Sequence, residues 1–244
     1  MIHNRDPAET EPTQAAIYLS EYILDINEGS DFLSGISKDD QKRLRHMGTR
    51  CTFDKGQSIF HQGDSHTGIW IIESGRARTY YVAPTGREIT LAYWTPGHFI
   101  GGPEVFGRGR HVWSADAMEP CEMVFLSGPS VEKLVREVPE VAVAVIHGLI
   151  AKGKCYSALI QMLGTRSISE RLRQFLFILA DAQGRHEGTS IVVERTITYE
   201  QIAFLVGATR QWVTQTLDKL RMEGVLEISR TELVIRDMDA LLST

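Results

Sequence analysis

The segment from 197 to 224, ITYEQIAFLVGATRQWVTQTLDKLRMEG, constrains the fold of this chain more than any other stretch. Thr198, with a glutamine three residues later, fits a capping box at the start of a first helix. Gly207 fits a tight turn that requires a positive φ angle. Thr209 fits the N-cap of a second helix, and Gly224 the residue just past its end. The apolar residues at helical spacing are Ile202, Ala203, Leu205, Val206, Val213, Leu217 and Leu220. The pattern predicts two helices joined by a tight turn, and an ordinary helical hairpin is the alternative.

The spacing of Ala203, Gly207 and Val213 is typical of DNA-binding helix-turn-helix units. The second helix would then enter the major groove, where arginine matches guanine and glutamine matches adenine. Those residue types also suit any solvated helix face, so the spacing carries the interpretation. The candidate base contacts are Arg210, Gln211, Thr214 and Gln215; Thr209 and Arg230 suit phosphates, and Trp212 suits either a phosphate contact or packing.

The overall charge does not itself indicate nucleic-acid binding. Lys and Arg number 26 against 31 Asp and Glu, a net charge of −5. From Arg166 onward ten basic residues face eleven acidic ones, so any affinity for DNA must come from local placement.

Cysteine usage and hydropathy suggest a reduced, cytoplasmic compartment. Cys51, Cys121 and Cys155 are far apart and form no CxxC pair, so neither a zinc ribbon nor a disulfide framework is expected. The N-terminus is polar, which predicts no signal peptide. The longest apolar run, 141 to 150, is too short to cross a bilayer, so we expect no membrane partner.

The pattern along the chain predicts an α+β fold in four parts. Residues 1–30 form a polar arm with a helix over 16–26, and 31–128 form a β-roll (jelly roll) of short strands with glycine turns. Residues 129–165 form a long helix, and 166–244 a winged helix-turn-helix preceded by a helix over 167–182. The predicted strands of the roll are 51–53, 58–60, 68–72, 77–82, 89–94, 111–115 and 121–126; the C-terminal part has a polar loop at 183–188, a strand at 191–193 and a hairpin of 225–228 with 233–235.

The long helix carries an apolar seam whose members alternate steps of four and three residues. That spacing is typical of a coiled coil and predicts self-pairing, with packing on the chain's own barrel as the alternative. The predicted seam residues are Ala142, Ile146, Leu149, Gly153, Tyr156, Ile160 and Leu163.

In this order, a glycine-punctuated β-roll, a dimer helix and a winged helix-turn-helix resemble the cyclic-AMP receptor protein/FNR (CRP/FNR) family of bacterial transcription regulators. The resemblance implies a homodimer, a small-molecule or redox sensor domain, double-stranded DNA with a palindromic operator as partner, and RNA polymerase as a further partner. It covers nearly the whole chain from Phe32. It rests on FLSGIS (32–37), Gly56 with Gly63-Asp64, Gly75, TGREITL (85–91), PGHFIG (96–101), SERLRQFLFILA (169–180) and ITYEQIAFLVGATRQWVTQTL (197–217).

The chain departs from the family at the positions that hold cyclic AMP. Gly102 stands where family members that bind cyclic AMP carry a ribose-binding glutamate, and their phosphate-binding Arg-Ser pair falls near His111 and Val112. A buried phosphate without its guanidinium partner is costly, so cyclic AMP is not the expected effector. Residues 1–50 contain no cysteine, so no iron–sulfur cluster is expected. Gln211 and Gln215 replace the family's common Glu and Arg, so no known operator sequence carries over.

The residues around the same turn and on the facing helix predict the effector site. They suit a mostly apolar or aromatic ligand with one or two polar groups. The alternative is that Ile100 and Trp113 simply fill the roll. The candidate residues are Ile100, Gly101, Gly102, Pro103, Glu104, His111, Val112, Trp113, Tyr156 and Ser157.

Two other classes compete with a regulator. His61, His66, His98 and His111 could suggest a metal-bound, cupin-like enzyme or a heme, but none shows the H-x-H or i, i+4 ligand spacing, so no metal is expected. A cyclic-nucleotide-regulated subunit that binds another protein is the second. Neither gives the C-terminal unit a role, so no catalytic residue is assigned.

Overall fold

The computed structural model describes residues 32–195 and 197–242, and it gives no side-chain environment for Ala158 or Ala182. The described chain divides after Thr165 into two compact units, and each is presented by itself. The helix expected over 16–26 lies outside the described residues.

The first unit is a two-sheet β-roll preceded by one helix. Helix α1 (Lys38–Met47) begins at Ser37, whose hydroxyl accepts from the Asp40 amide. One sheet has the order β1-β8-β3-β6 and the other β2-β7-β4-β5. The strands are β1 (Thr49–Phe53), β2 (Ser58–Phe60), β3 (Gly68–Ser74), β4 (Ala77–Val82), β5 (Glu88–Trp94), β6 (Phe99–Ile100), β7 (Ser114–Ala117) and β8 (Cys121–Ser127).

Two strands differ from the sequence prediction. β7 begins at Ser114 rather than 111, since the backbone of His111 bonds the turn at Gly63 and Asp64 instead of a strand. β6 was not predicted, because a two-residue strand is too short to show alternation. β6 pairs with β3 through Ile100 opposite Trp70 and Phe99 opposite Ile71. This pairing fixes the turn that follows β6, which the effector prediction concerns.

The predicted long helix is two helices, α2 (Gly128–Glu137) and α3 (Pro139–Thr165). Val138 between them is extended, at φ −132°, because a residue that precedes proline disfavours the helical region. The inner face of α3 completes both hydrophobic clusters of the roll. Val141, Ala144 and Val145 join the cluster around Phe32 and Phe99; Ala151 and Cys155 join the one around Trp94 and Ile100.

By length and composition α3 passes the test for a membrane-spanning helix, contrary to the expectation from the run 141–150. About 35% of its apolar window is buried inside the protein. Helices at the core of soluble proteins pass the same test, and one such helix is weak evidence for a membrane.

The second unit has a four-stranded sheet, order β11-β12-β10-β9, with helices around it. Helix α4 starts with a capping box between Ser167 and Glu170. The predicted loop at 183–188 holds strand β9, whose fully exposed residues show no apolar alternation. The elements are α4 (Ile168–Gln183), β9 (Arg185–Glu187), β10 (Ser190–Glu194), α5 (Tyr199–Val206), α6 (Arg210–Met222), β11 (Leu226–Ile228), β12 (Glu232–Ile235) and α7 (Met238–Leu242).

We predict that Gly148→Ala destabilises the first unit. A Cβ at Gly148 would overlap the ring of Phe99, which is 1% exposed and packs edge-on against Phe32 at 5.5 Å, so the ring has little room to move. Overpacking of this kind costs about 1–3 kcal/mol, which outweighs the roughly 1 kcal/mol gain in helix propensity. Chemical denaturation measures the change in the free energy of unfolding.

Gly164→Ala is the matched control, because nothing lies within 4 Å of a Cβ at Gly164 on the same helix. We expect it to be neutral or slightly stabilising. Equal free energies of unfolding for the two variants would contradict the close approach of α3 to β6.

Candidate nucleic-acid interface and effector site

The helix-turn-helix forms as its caps predict. The Thr198 hydroxyl accepts from the Gln201 amide at 3.2 Å, and the Gln201 side chain accepts from the Thr198 amide at 2.9 Å. Gly207 ends α5 in the left-handed region at φ 68°, ψ 43°. Thr209 caps α6 by accepting from the Trp212 amide at 3.1 Å. Two capped ends and one positive-φ glycine thus orient α6 relative to α5.

The first two turns of α6 present most of the predicted DNA contacts. Arg210, Gln211 and Gln215 are exposed, and Trp212 is half-buried. The Thr214 hydroxyl donates to the Arg210 carbonyl at 3.0 Å, so it is already engaged with the backbone. Thr209 is exposed even while it caps the helix. The side chains best placed to reach a base edge are therefore Arg210, Gln211 and Gln215.

Ion pairs divide the cations of the second unit into two groups. Lys219 pairs with Glu223, Arg221 with Asp218 and Arg236 with Glu227. Within the described residues, Arg210 and Arg230 are exposed and form no ion pair. Among the exposed Lys and Arg residues of the described second unit, the local acids thus pair with the others and leave one guanidinium at the start of α6 and one at the tip of the β11–β12 hairpin.

Arg195, which the sequence analysis did not single out, joins the hairpin to the helix-turn-helix. Its guanidinium donates to the Ser229 carbonyl at 3.1 Å and lies 4.6 Å above the Tyr199 ring at the start of α5. Its amide donates to the Thr231 carbonyl at 2.7 Å. The hairpin turn that carries Arg230 is therefore tied to α5.

The predicted effector residues do not all face one site. Ile100, Gly101, Gly102 and His111 are buried, and Glu104, Trp113 and Tyr156 are partly buried. The exposed candidates are Pro103, Val112 and Ser157, of which Val112 is 53% exposed. The Glu104 carboxylate accepts from the Phe106 amide at 3.0 Å within its own loop. Pro103, Val112 and Ser157 are thus exposed in the single chain and Glu104 braces its own loop, so the buried part of the predicted site is formed by the other residues; that these residues bind an effector stays a prediction.

His111 lies in an aromatic stack. Its ring stacks on Phe60 at 3.9 Å and lies 4.3 Å from His66, whose Nε2 bonds the Gly101 carbonyl. Burial, and then the neighbouring His66, lower the pKa of His111 to about 4, although Asp64 acts in the opposite direction. At neutral pH the ring is uncharged and packs the roll, so it offers no cation to a phosphate.

Lys152, on the inner face of α3, was missed by the sequence analysis. Its side chain is 5% exposed, and its Nζ donates to the Phe99 carbonyl at 2.6 Å. A Cβ at Gly102 would lie 3.9 Å from the Lys152 Cε, so the lysine reaches the turn that the effector prediction concerns. The available signal was its spacing: positions 144, 148 and 152 are four residues apart on the buried face.

One turn later on α3, Tyr156 packs edge-on against Trp113 at 5.4 Å. Its hydroxyl is buried with no hydrogen-bond partner among the described residues. Burial also raises the pKa of this phenol. Lys152 and Tyr156 therefore bring two polar groups into an otherwise aromatic region.

The outer face of α3 carries an apolar stripe that is related to the predicted seam but is not identical with it. Ile146, Gly153 and Ile160 are exposed as expected. Leu149 and Tyr156 pack against the roll's own clusters instead, and Ala142 and Leu163 are partly buried. The outer stripe, at alternating steps of three and four, comprises Val143, Ile146, Ile150, Gly153, Ser157, Ile160 and Gly164.

Four of its members are large and exposed: Val143 at 51%, Ile146 at 54%, Ile150 at 50% and Ile160 at 70%. The predicted seam and the exposed stripe differ for a simple reason. A helix with two apolar faces shows two interleaved heptad patterns, and the sequence alone does not say which one the roll covers.

Metal ligands are not grouped in the described part of the chain: no cluster of three or more His, Cys, Asp or Glu side chains is arranged to hold an ion there.

Two family models match the chain, one within each compact unit. Residues 50–138 match the cyclic nucleotide-binding domain, and residues 170–244 match the Crp-like helix-turn-helix domain.

Among curated proteins, the global nitrogen regulator of Synechocystis sp. is 26% identical over 192 residues, covering 78% of this chain and 85% of the relative. The cyclic AMP receptor protein of Thermus thermophilus is 25% identical over 217 residues, covering 86% of this chain and 94% of the relative.

Solved structures agree on the fold. The c-di-GMP-responsive global regulator CLP of Xanthomonas campestris superimposes with a TM-score of 0.71 at 18% identity, covering 82% of this chain and 99% of that one. With the β-roll, the helix behind it and the capped helix-turn-helix in this order, and with both domain models matched, the chain belongs to the cyclic-AMP receptor protein/FNR family of transcription regulators.

Proposed function

We propose that the protein is a homodimeric DNA-binding transcription regulator whose β-roll senses a small organic effector other than cyclic AMP. The observation that carries the proposal is that α3 has two different faces. Its inner face contacts the sensor turn, while its outer stripe of large apolar side chains has no cover within the described chain. We place its action in the cytoplasm, with RNA polymerase as the further partner.

Self-pairing of the outer stripe supports the dimer. A stripe with alternating steps of three and four residues matches the seam of a two-stranded coiled coil. Exposed apolar side chains in a contiguous row mark an interaction surface. Pairing with a second copy would place two helix-turn-helix units about a two-fold axis, and a palindromic operator has the same symmetry.

The effector would act by a population shift. A ligand that contacts Gly102 and the inner face of α3 favours one position of this helix over another, and the outer face carries that change to the partner. The spacing of the two recognition helices would then depend on the effector. The similar proteins include a cyclic AMP receptor protein and a c-di-GMP-responsive regulator. In this chain, however, Gly102, Val112 and the uncharged His111 do not supply the groups that a cyclic phosphate requires.

Ile160→Asp is predicted to weaken the dimer more than a hundredfold. Ile160 is 70% exposed in the single chain, so the change leaves the fold of one protomer intact but buries two carboxylates in the dimer. Losing two buried isoleucines alone costs about 3 kcal/mol or more, and 1.4 kcal/mol is a factor of ten. Sedimentation at a series of concentrations measures the dissociation constant.

The neighbouring Gln161→Asp adds the same charge beside the stripe and should have a much smaller effect on the dissociation constant. Equal dissociation constants for wild type and Ile160→Asp would show that the stripe is not part of the interface.

Arg210→Ala is predicted to relax one position of the preferred operator, because a bidentate contact with guanine is worth about 1–3 kcal/mol of discrimination. Arg230→Ala should instead weaken binding to all sequences alike and reduce the salt dependence, as expected for a phosphate contact. Selection from a random DNA library, followed by affinity measurements at several salt concentrations, separates the two effects. An unchanged operator preference for Arg210→Ala would show that this arginine does not contact a base.

Calorimetry with cyclic AMP should give no micromolar binding. The pKa of His111 is lowered to about 4, so this ring is uncharged at pH 7 and cannot pair with the phosphate. Micromolar binding that is lost in His111→Ala or altered in Gly102→Ala would contradict the assignment of a different effector.

A further inference from the structure

Lys152 is a buried amine without an anionic partner among the described residues. Its Nζ lies 3.9 Å above the Trp94 ring and 4.1 Å from the Phe99 ring, and within the described chain its hydrogen bond goes to the Phe99 carbonyl. No described carboxylate forms an ion pair with it. An ammonium group has three donors, so two remain without an acceptor. Buried charges are normally paired, which makes this arrangement costly unless something else completes it.

A second unsatisfied donor lies on the same face of the helix. Tyr156 follows Lys152 by one helical turn, which stacks the two side chains. Its hydroxyl is buried and has no described partner. Trp113 and Tyr156 are both partly exposed and lie in contact, so they form the rim of this region.

The turn that faces Lys152 brings Gly102 close to it. A Cβ at Gly102 would make ordinary van der Waals contacts, 3.7 Å from Leu149 Cδ2, 3.7 Å from the Phe99 ring and 3.9 Å from Lys152 Cε, so Gly102 leaves room for a small group beside the lysine. The groups near Lys152 that can titrate are Cys155 on the same helix and His98, whose ring packs on Trp94 at 5.6 Å from the turn before β6. Neither supplies a carboxylate.

We propose that Lys152 and Tyr156 form the anion-binding end of the effector site and that the effector is a small aromatic carboxylate. The carboxylate would accept the two free Lys152 donors and the Tyr156 hydroxyl, while the ring of the ligand packs against Trp113. This inference rests on the proposed sensor function and names the ligand class for the same site. One amine and one hydroxyl match a single carboxylate better than a phosphate, because no described arginine contacts Lys152 or Tyr156 to bind a phosphate in a bidentate manner.

Desolvation lowers the pKa of Lys152 to about 7, as expected for a buried amine that has no anionic partner. Unfolding restores an ordinary lysine, which holds its proton up to about pH 10.5. Between these values the unfolded chain binds one proton more than the folded chain, so the stability of the wild type rises with pH. A bound carboxylate would reverse the shift, since an opposite charge favours the ammonium form.

The first test needs no ligand. The unfolding equilibrium constant of the wild type, divided by that of Lys152→Met, should fall about tenfold per pH unit from pH 7.5 to 9.5. Gly102→Glu would place a carboxylate beside the lysine and should abolish this slope, whereas Gly102→Ala should retain it. A ratio that does not change with pH in the wild type would overturn the proposal, because Lys152 would then keep an ordinary lysine pKa and would not be a desolvated amine that lacks an anionic partner.

The second test uses benzoate, phenylacetate, salicylate and indole-3-acetate, each paired with its uncharged amide, in calorimetry on the full chain without DNA. At least one acid should bind tenfold or more tightly than its amide. It should take up close to one proton per site at pH 8, lose at least tenfold in affinity in Lys152→Met, and lose less in Tyr156→Phe. Equal binding of an acid and its amide, retention of affinity in Lys152→Met, or no binding by any acid would overturn the proposal. DNA is absent from this test, so its failure leaves the proposed regulator function to be judged by operator selection.

Discussion

The packing of helix α3 against strand β6 is the contact on which the rest of the first unit depends. Gly148 lets the helix approach the Phe99 ring, and Lys152 crosses that ring to reach the Phe99 carbonyl. Close packing of this kind transmits displacement, since a tightly packed core has few voids to absorb a shift. A ligand that moved the turn at Gly102 would therefore move the helix as well.

The same helix also has an exposed apolar face. Its apolar residues exceed what the roll can bury, and the surplus forms a row from Val143 to Gly164 at coiled-coil spacing. The inner face of α3 contacts the turn at Gly102, and its outer face is exposed. A change at that turn and a contact with a partner would therefore involve the same rigid helix. In the described part of the second unit the comparable feature is electrostatic: acids pair with Lys219, Arg221 and Arg236, whereas the exposed Arg210 and Arg230 form no ion pair.

Local chemistry predicted the elements whose signals lie within a few residues. The capping box at Thr198, the positive φ of Gly207 and the cap at Thr209 all follow from residue type and spacing. Strand β6 and the exposed strand β9 carry no periodic signal and were missed. The exposed apolar stripe of α3 differs from the predicted seam by one residue at alternate positions, because the sequence shows two apolar faces but not which one meets the sheet. Lys152 was overlooked for the same reason: a buried cation looks like any lysine until tertiary packing surrounds it.

The proposed dimer forms through the outer stripe of α3 and not through the heptad that contains Leu149 and Tyr156. Oxidative cross-linking of Ser157→Cys tests this directly, since Ser157 is exposed on the stripe and adjacent helices of a dimer lie about 8–10 Å apart. We expect Ser157→Cys to form a covalent dimer rapidly and Lys154→Cys to form one much more slowly, because Lys154 is exposed but lies off the stripe. Equal rates for both variants, or no covalent dimer from Ser157→Cys, would contradict this interface.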